Sequence, residues 1–257
     1  MILCLEETMD AYTSFAQVYD LFMDNVPYDE WGSYLDALFK EYGIEDGLLL
    51  DLGCGTGKLT QIMEKYGYDM IGVDNSYEML DIAKEHSKES ILYLMQDMRE
   101  FELYGTVRGI YSACDCMNYI LEEDDLREVF ALSNNYLDPG GILVFDLNTP
   151  FKYKELLAEN TFAETREEGS FIWENYYDEE EEINEYDLTL YIKNEDESFQ
   201  RFQEVHYQRC YELSTIKRLL EEAGMKFIAA YDAYTKEPVS EESEKILIIA
   251  QEQGKGD

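Results

Sequence analysis

Three glycines spaced two apart, Gly53, Gly55 and Gly57, follow directly on the apolar run Leu48-Leu49-Leu50-Asp51-Leu52. An apolar run of that length is expected for a strand buried on both faces. A glycine-rich turn behind it can bend sharply and let a ligand approach the backbone, with the N–H groups of the next helix aimed at it. Asp74 lies 21 residues beyond Gly53, at the end of a second apolar run, Met70-Ile71-Gly72-Val73. A carboxylate in that register can take both hydroxyls of an adenosine ribose.

Two kinds of cofactor fit such a loop. The dinucleotide fingerprint needs G-x-G-x-x-G, whereas Gly53-Cys54-Gly55-Thr56-Gly57 reads G-x-G-x-G, with Lys58 where the third dinucleotide glycine would stand. Asp51, at the leading edge of the loop, would repel a pyrophosphate and attract an ammonium. The segment Asp51-Leu52-Gly53-Cys54-Gly55-Thr56-Gly57 resembles the cofactor loop of class I S-adenosylmethionine-dependent methyltransferases. The resemblance covers residues 48–148 and 212–251. It implies S-adenosyl-L-methionine as cofactor and a Rossmann-like α/β fold, with a mostly parallel sheet and an antiparallel C-terminal strand.

Further residues follow from that resemblance. Asp74 and Asn75 stand at the ribose-binding strand end, and Met79 stands where the family stacks an apolar residue on the adenine. Gln96, Asp97 and Met98 resemble the motif at the adenine edge. The pattern Tyr12, Phe15, Ala16, Tyr19, Asp20, Met23, Tyr28, Trp31 is similar to a bacterial small-molecule subgroup that carries a β-rich insertion after the fifth strand. Sugar N-methyltransferases and glycine N-methyltransferases have a comparable layout. Tyr19 and Trp31 are the aromatic candidates for a lid over the cofactor; packing against the core is the competing reading.

Acceptor contacts are expected after the fourth strand, in Asp115-Cys116-Met117-Asn118-Tyr119, because ligands of open α/β sheets bind at the carboxyl ends of strands. This segment lacks the Asp/Asn-Pro-Pro-Tyr motif of nucleic-acid amine methylation and the Pro-Cys pair of cytosine carbon methylation. Asp115 is counted with the cofactor residues, Asn118 and Tyr119 with the catalytic ones. For these last two, a capping or packing role stands beside the catalytic one. His206 lies in Glu204-Val-His-Tyr-Gln-Arg-Cys-Tyr211, where strand alternation puts it with Gln208 and Cys210 on one face. It is the candidate general base if that face meets the cofactor, and a structural histidine otherwise. Arg209, on the opposite face, is a candidate grip for a substrate carboxylate.

The elements that must position these residues alternate strand and helix from residue 48, as a parallel sheet with right-handed crossovers requires. The strands are expected at 48–52, 70–73, 91–95, 109–113 and 142–146. Asn75 with Glu78 resembles a capping box opening a helix to about His86. Residues 8–42 read as helical, punctuated by Pro27 and Gly32. The texture changes after Asn148: runs at 170–177, 186–193 and 199–211, separated by acidic turns, read as an antiparallel meander. After Gly224 the α/β pattern resumes, with strands at 226–231 and 245–251. The organisation is therefore an N-terminal helical lid (1–42), an S-adenosylmethionine-binding domain (43–148 and 212–257), and an antiparallel insertion (149–211) that covers the acceptor or serves as an oligomer surface.

Composition bounds the partners. The chain of 257 residues carries 57 acids against 20 bases, a formal charge of −37. Between residues 159 and 204 acids outnumber bases sixteen to three. Such a field repels a phosphate backbone, so no nucleic-acid partner is expected; either the acids favour a cationic or neutral small-molecule acceptor, or they serve solubility alone. Five cysteines without a C-x-x-C pair suit reduced thiols and no structural metal. The first twelve residues lack the basic and apolar regions of a signal peptide, and no apolar run is long enough to span a bilayer. The sequence thus reads as a cytoplasmic enzyme methylating N or O of a small molecule, with a homodimer as one assembly. A protein or tRNA methyltransferase and a non-catalytic binding module are the alternatives.

Overall fold

The computed structural model describes residues 12 and 14–255. Residues 8–11 and 13 of the expected N-terminal helix, together with Cys4, lie outside the described residues. Two helices form in the described part of that region, α1 (Ala16–Phe22) and α2 (Tyr28–Glu41), with Pro27 at the N-cap of α2. Gly32 does not interrupt α2. It lies inside the helix, where a Cβ would stand 2.3 Å from Ile62 Cγ2 of the neighbouring helix α3 (Lys58–Lys65). Close approach of the two helices, not a turn, is the reason for glycine there.

The main sheet has seven strands: β1 (Leu48–Leu52), β2 (Asp69–Asp74), β3 (Leu92–Met95), β4 (Val107–Ser112), β5 (Leu137–Asn148), β10 (Lys226–Asp232) and β11 (Lys245–Gln251). Their order is β10-β11-β5-β4-β1-β2-β3. Strands β1 to β5 pair in parallel, while β11 runs antiparallel to both β5 and β10. The fold is Rossmann-like α/β, as the alternating pattern implies. Alternation along β1 explains its two-sided apolarity. Leu50 and Leu52 pack with Phe130 of α5 (Glu123–Tyr136) and Leu219 of α6 (Leu213–Glu222). Leu49 packs on the other face with Phe39 of α2 and Met63 of α3. Each such side chain contributes about 1.5–3 kcal/mol when fully buried, which pins the register that places the strand ends.

Helix α4 (Tyr77–His86) starts one residue later than the capping-box reading. Ser76, not Asn75, is the N-cap, its hydroxyl accepting from Met79 N at 3.2 Å. Asn75 is left at the open edge of the strand end. Strand β5 begins at Leu137, five residues before the expected start at 142, and its pairing with β4 carries a bulge.

The second sheet is antiparallel, in the order β6-β7-β8-β9, formed by β6 (Thr161–Thr165), β7 (Gly169–Asp178), β8 (Ile183–Lys193) and β9 (Phe199–Arg209). Strand β6, which has only five residues, carries no alternating signal and was missing from the sequence reading. Along β9 the side chains of Glu204, His206 and Gln208 are buried, whereas Tyr207 is exposed. The predicted alternation therefore holds, with His206 on the inward face.

Candidate functional site

A cavity of about 1050 Å³ opens at the carboxyl ends of β1, β2 and β4. Its floor is the glycine loop. Gly53 (φ +85°) and Gly57 (φ +73°) occupy the left-handed region, and a Cβ on Gly57 would stand 2.3 Å from the Tyr93 hydroxyl. A side chain at either position would strain the backbone and collide, at Gly53 with Cys116 at 2.7 Å and at Gly57 with Tyr93. Gly55 turns its Cβ position toward open space, so the loop presents bare backbone there.

Asp74 ends β2 with both carboxylate oxygens engaged: Oδ2 accepts from Gly55 N at 2.8 Å and Oδ1 from Ser76 N at 2.9 Å. One side chain thus fixes both the glycine loop and the start of α4. Burial pushes its carboxyl above the ordinary value, against the backbone N–H bonds that lower it. Cys54, Thr56, Asn75, Met79, Gln96, Asp97 and Met98 also line the cavity.

Helix α1 is tied down over the glycine loop. Asp20 accepts from Thr56 Oγ1 at 2.7 Å and pairs with Lys58 Nζ at 3.1 Å. This brings Tyr19 to the cavity wall, and Tyr12 joins it, its carbonyl accepting from Ser76 Oγ at 3.3 Å.

The wall opposite the glycine loop is a chain of hydrogen bonds. Tyr119, at the end of the short 3-10 turn Cys116–Tyr119, places its hydroxyl 2.8 Å from the Tyr12 hydroxyl and 3.1 Å from His206 Nδ1. His206 Nε2 lies 3.2 Å from Glu204 Oε2. Glu204 is fully buried and accepts from the backbone N–H groups of Tyr12, Ser14 and Phe15 at 2.8, 2.6 and 2.9 Å. Burial alone would raise its carboxyl, but the bonds from His206, Phe15 and Ser14 outweigh burial and hold it below the usual range. Burial raises the Tyr119 hydroxyl strongly, so it is a neutral phenol at physiological pH.

The turn after β4 is strained: Cys114 (φ +61°) and Asp115 (φ +53°) are consecutive left-handed residues without being glycine. Asp146 accepts from both of their N–H groups, at 3.1 and 2.6 Å. Asp115 in turn accepts from Lys245 Nζ at 2.8 Å and Gln208 Nε2 at 2.6 Å. Burial would raise the Asp115 carboxyl, but the Lys245 and Lys152 cations win and hold it at about 2. Strain of this kind persists only where surrounding bonds over-determine it.

A methyltransferase domain family matches residues 49–141. The chain is 34% identical over 243 residues to a provisionally named methyltransferase of Geobacillus sp. (strain WCH70), covering 93% of this chain and 98% of the relative. The crystal structure of an S-adenosylmethionine-dependent methyltransferase from Clostridium acetobutylicum ATCC 824 is similar with a TM-score of 0.83 at 27% identity, covering 95% of this chain and 100% of that one. Over 146 residues, 56% of this chain and 60% of the relative, it is 29% identical to dTDP-3-amino-3,4,6-trideoxy-alpha-D-glucopyranose N,N-dimethyltransferase of Streptomyces venezuelae.

The chain is an S-adenosylmethionine-dependent methyltransferase.

The cavity of this methyltransferase fits that cofactor. The exposed backbone at Gly55 leaves a cradle that a side chain would fill, a carboxylate stands at the β2 tip, and Met79 offers an apolar face. Asp51 also lines the cavity, although its Oδ2 accepts from Thr60 Oγ1 at 2.6 Å and Tyr111 OH at 3.0 Å.

Six sequence candidates sit elsewhere. Trp31 does not line the cavity; it stacks on Tyr234 at 4.2 Å and 4° and packs against the C-terminal strands. Asp115 turns away from the cavity into its bonds with Lys245 and Gln208, because two left-handed residues reverse the chain just there. Asn118 is fully buried and used up by backbone: its amide donates to Arg209 O at 2.8 Å and its carbonyl accepts from Asn148 N at 3.0 Å. It joins the turn after β4 to β9 and β5. Gly57 lies under the loop, against Tyr93, and His206 stands behind Tyr119. Arg209 donates to Leu121 O at 2.8 Å and faces Glu182, so it grips the fold.

Sequence reasoning missed Tyr12, Tyr28 and Cys116 as cavity residues and Glu204 as the partner of His206. Glu204 was within reach: it lies two residues before His206 on the same strand face.

Proposed function

We propose that this methyltransferase transfers a methyl group to an amine or hydroxyl of a small molecule, with an amine as the preferred acceptor. The observation that carries this reading is the Tyr12–Tyr119–His206–Glu204 wall: an uncharged pair of hydroxyls facing the cavity, backed by a buried imidazole and carboxylate. Among the described residues, the two cations that line the cavity, Lys58 and Arg99, are paired with Asp20 and Asp97, so a phosphate chain meets no free cation among them. The similarity to an amino-sugar N,N-dimethyltransferase supports an amine acceptor.

S-adenosylmethionine supplies an electrophilic methyl group on a sulfonium sulfur. Methyl transfer then needs alignment and exclusion of water more than a strong base. Asp74 takes the ribose hydroxyls, Gly53 to Thr56 and Asp51 hold the methionine end, and Met79 with Gln96 to Met98 surrounds the adenine. Tyr19 closes over the cofactor. Tyr119 accepts the proton released by the acceptor while passing its own to His206 Nδ1, and Glu204 stabilises the resulting imidazolium. Asn118 positions Tyr119 through the backbone. Residues 149–211 act as the acceptor cover, since β9 supplies His206 and Glu204. The free thiols of Cys54, Cys114, Cys116 and Cys210 suit a cytoplasmic setting.

The test is turnover on a panel of amino sugars, simple amines, alcohols and carboxylic acids, followed by release of S-adenosylhomocysteine, beside a gel shift with RNA at low salt. Turnover of amines with no RNA binding supports the reading. Turnover of none of them alongside sub-micromolar RNA affinity rejects it.

The role given to Asp51 makes a pH prediction. Burial raises its carboxyl to about 7, outweighing the Thr60 and Tyr111 bonds, with Asp74 adding to the rise. A cationic ammonium beside it favours the ionised form. Cofactor affinity is therefore expected to rise between pH 5 and 7, by up to about tenfold per unit for one released proton, and to level off above. The stability of the ligand-free protein has the opposite sign. The folded chain keeps a proton that the unfolded chain loses, so Asp51 makes stability fall as pH rises from 3.8 to about 7. Calorimetry across this range, with Asp51→Asn as the control, checks both; a slope that survives the substitution assigns it to another group.

A further inference from the structure

We propose that Glu204 is a latch as well as a positioning residue: one buried carboxylate holds the N-terminal segment closed over the cavity and, through the same oxygens, selects the tautomer of His206. The consequence for catalysis rests on the roles given above to Tyr119 and His206; the latch and the tautomer do not.

The Glu204 side chain is 0% exposed. A charge so placed is tolerated only when its lone pairs are satisfied. Oε1 accepts from Ser14 N and Phe15 N, and Oε2 accepts from Tyr12 N and meets His206 Nε2. Three of the four partners thus belong to Tyr12, Ser14 and Phe15, just before α1. Tyr12 and Ser14 precede α1 and Phe15 is its N-cap, so none of the three N–H groups has a partner within the helix, and α1 has no side-chain cap of its own. A carboxylate from β9, 189 residues away in sequence from Phe15, provides what the local chain lacks.

The closed segment in turn builds the site. It brings Tyr12 OH to Tyr119 and Tyr19 to the cavity wall, and Asp20 clasps Thr56 and Lys58 across the glycine loop. Lifting the segment would strip Glu204 of three partners and uncover the cavity in one motion. An ionised carboxylate can only accept hydrogen bonds, so Nε2 must carry the imidazole proton. The lone pair then falls on Nδ1, which faces the Tyr119 hydroxyl. Closure and readiness to take a proton are therefore two results of the same four contacts.

Two variants of the full chain separate the parts, with S-adenosylhomocysteine as the only probe. In Glu204→Gln the amide oxygen can keep Ser14 and Phe15, but the amide nitrogen meets two donors, Tyr12 N–H and His206 Nε2–H. The imidazole relieves this by moving its proton to Nδ1. With only two histidines in the chain, nitrogen-15 ring spectra resolve the change: the native protein shows the Nε2–H form at His206 and the variant the Nδ1–H form. In Glu204→Ala, exchange of the Ser14 and Phe15 amides is expected to accelerate more than about tenfold, the loss of shared buried acceptors. The native protein, titrated with S-adenosylhomocysteine, should slow exchange at those amides while the His206 ring signals shift in parallel. An unchanged tautomer in Glu204→Gln, or native amide exchange in a folded Glu204→Ala, overturns the proposal. Should the alanine variant not fold, amide protection and ring signals that respond independently in the native titration overturn it equally. None of these readouts uses a methyl acceptor, so an error in the acceptor class leaves them intact.

Discussion

Replacing Asp74 with asparagine is expected to weaken binding of S-adenosylmethionine and S-adenosylhomocysteine alike by roughly ten- to hundredfold, corresponding to about 1.5–3 kcal/mol for a charged hydrogen-bond acceptor. The structure makes the loss twofold. The side chain is the one acid at the β2 tip, and its two oxygens already hold Gly55 N and Ser76 N. An amide keeps one of these acceptors and turns a donor toward the other, so the glycine loop or the start of α4 shifts. The ribose diol also loses a charged acceptor. Because the damage is confined to a strand end, the seven-stranded sheet is retained, and the melting temperature without ligand should change by only a few degrees. Calorimetric titration with both ligands decides the matter: parallel losses place Asp74 at what the two share, the adenosine and its amino-acid chain, and away from the transferred methyl. Unchanged affinity for either would mean that the carboxylate organises the loop without touching the nucleoside.

The second large effect is on turnover. Tyr119→Phe removes a single oxygen, the one atom that lies within hydrogen-bond reach of both the Tyr12 hydroxyl and His206 Nδ1. The ring remains and cavity shape is preserved. With Tyr119 relaying the acceptor's proton, kcat falls about a hundredfold or more, the usual scale for a positioned proton acceptor, while cofactor affinity stays within about twofold because the lost oxygen bonds to Tyr12 and His206 and not to the glycine loop. His206→Asn is expected to lose a comparable factor. The double variant should be little worse than the more damaged single variant, since residues acting as one unit are not additive. Initial rates on whichever amine or alcohol is turned over provide the check. Full activity in Tyr119→Phe would assign the wall to shape alone and leave alignment of the reactants as the whole of the catalysis.

Much of the cavity lining around the glycine loop was legible from residues 48–98 alone. There the chain is local: a buried strand, a turn of glycines and a carboxylate one strand later are positioned by short-range geometry, and the backbone does most of the work. The expected strand positions fell within a few residues of those observed, and β11 coincided with its prediction. The small displacements have local causes. Ser76 outcompeted Asn75 as the cap of α4 because its hydroxyl reaches Met79 N. Gly32 was read as punctuation, but its role is to let α2 and α3 touch, and no window of sequence shows which helix will lie alongside.

What the sequence determined by itself is the class of fold, the cofactor loop with its acid, and the alternation that turns His206 inward with Gln208. The hydrogen-bonded wall around Tyr119 was decided only by tertiary structure. Tyr12, Tyr119, Glu204 and His206 are drawn from three distant segments, the N-terminal turn, the turn after β4 and the last strand of the insertion. Of these only Glu204 and His206, two residues apart on one strand face, are marked as partners by their local sequence. Asp115 shows the converse: its place after β4 pointed to the cavity, yet two left-handed residues and the Asp146–Lys245 pair turn it into the protein interior. The physical reason is common to both cases. Periodicity reports which face of an element is buried, because burial of apolar area is the dominant local pattern. Which polar groups meet inside is set by the requirement that every buried charge find partners, and those partners arrive from wherever the packed chain happens to bring them.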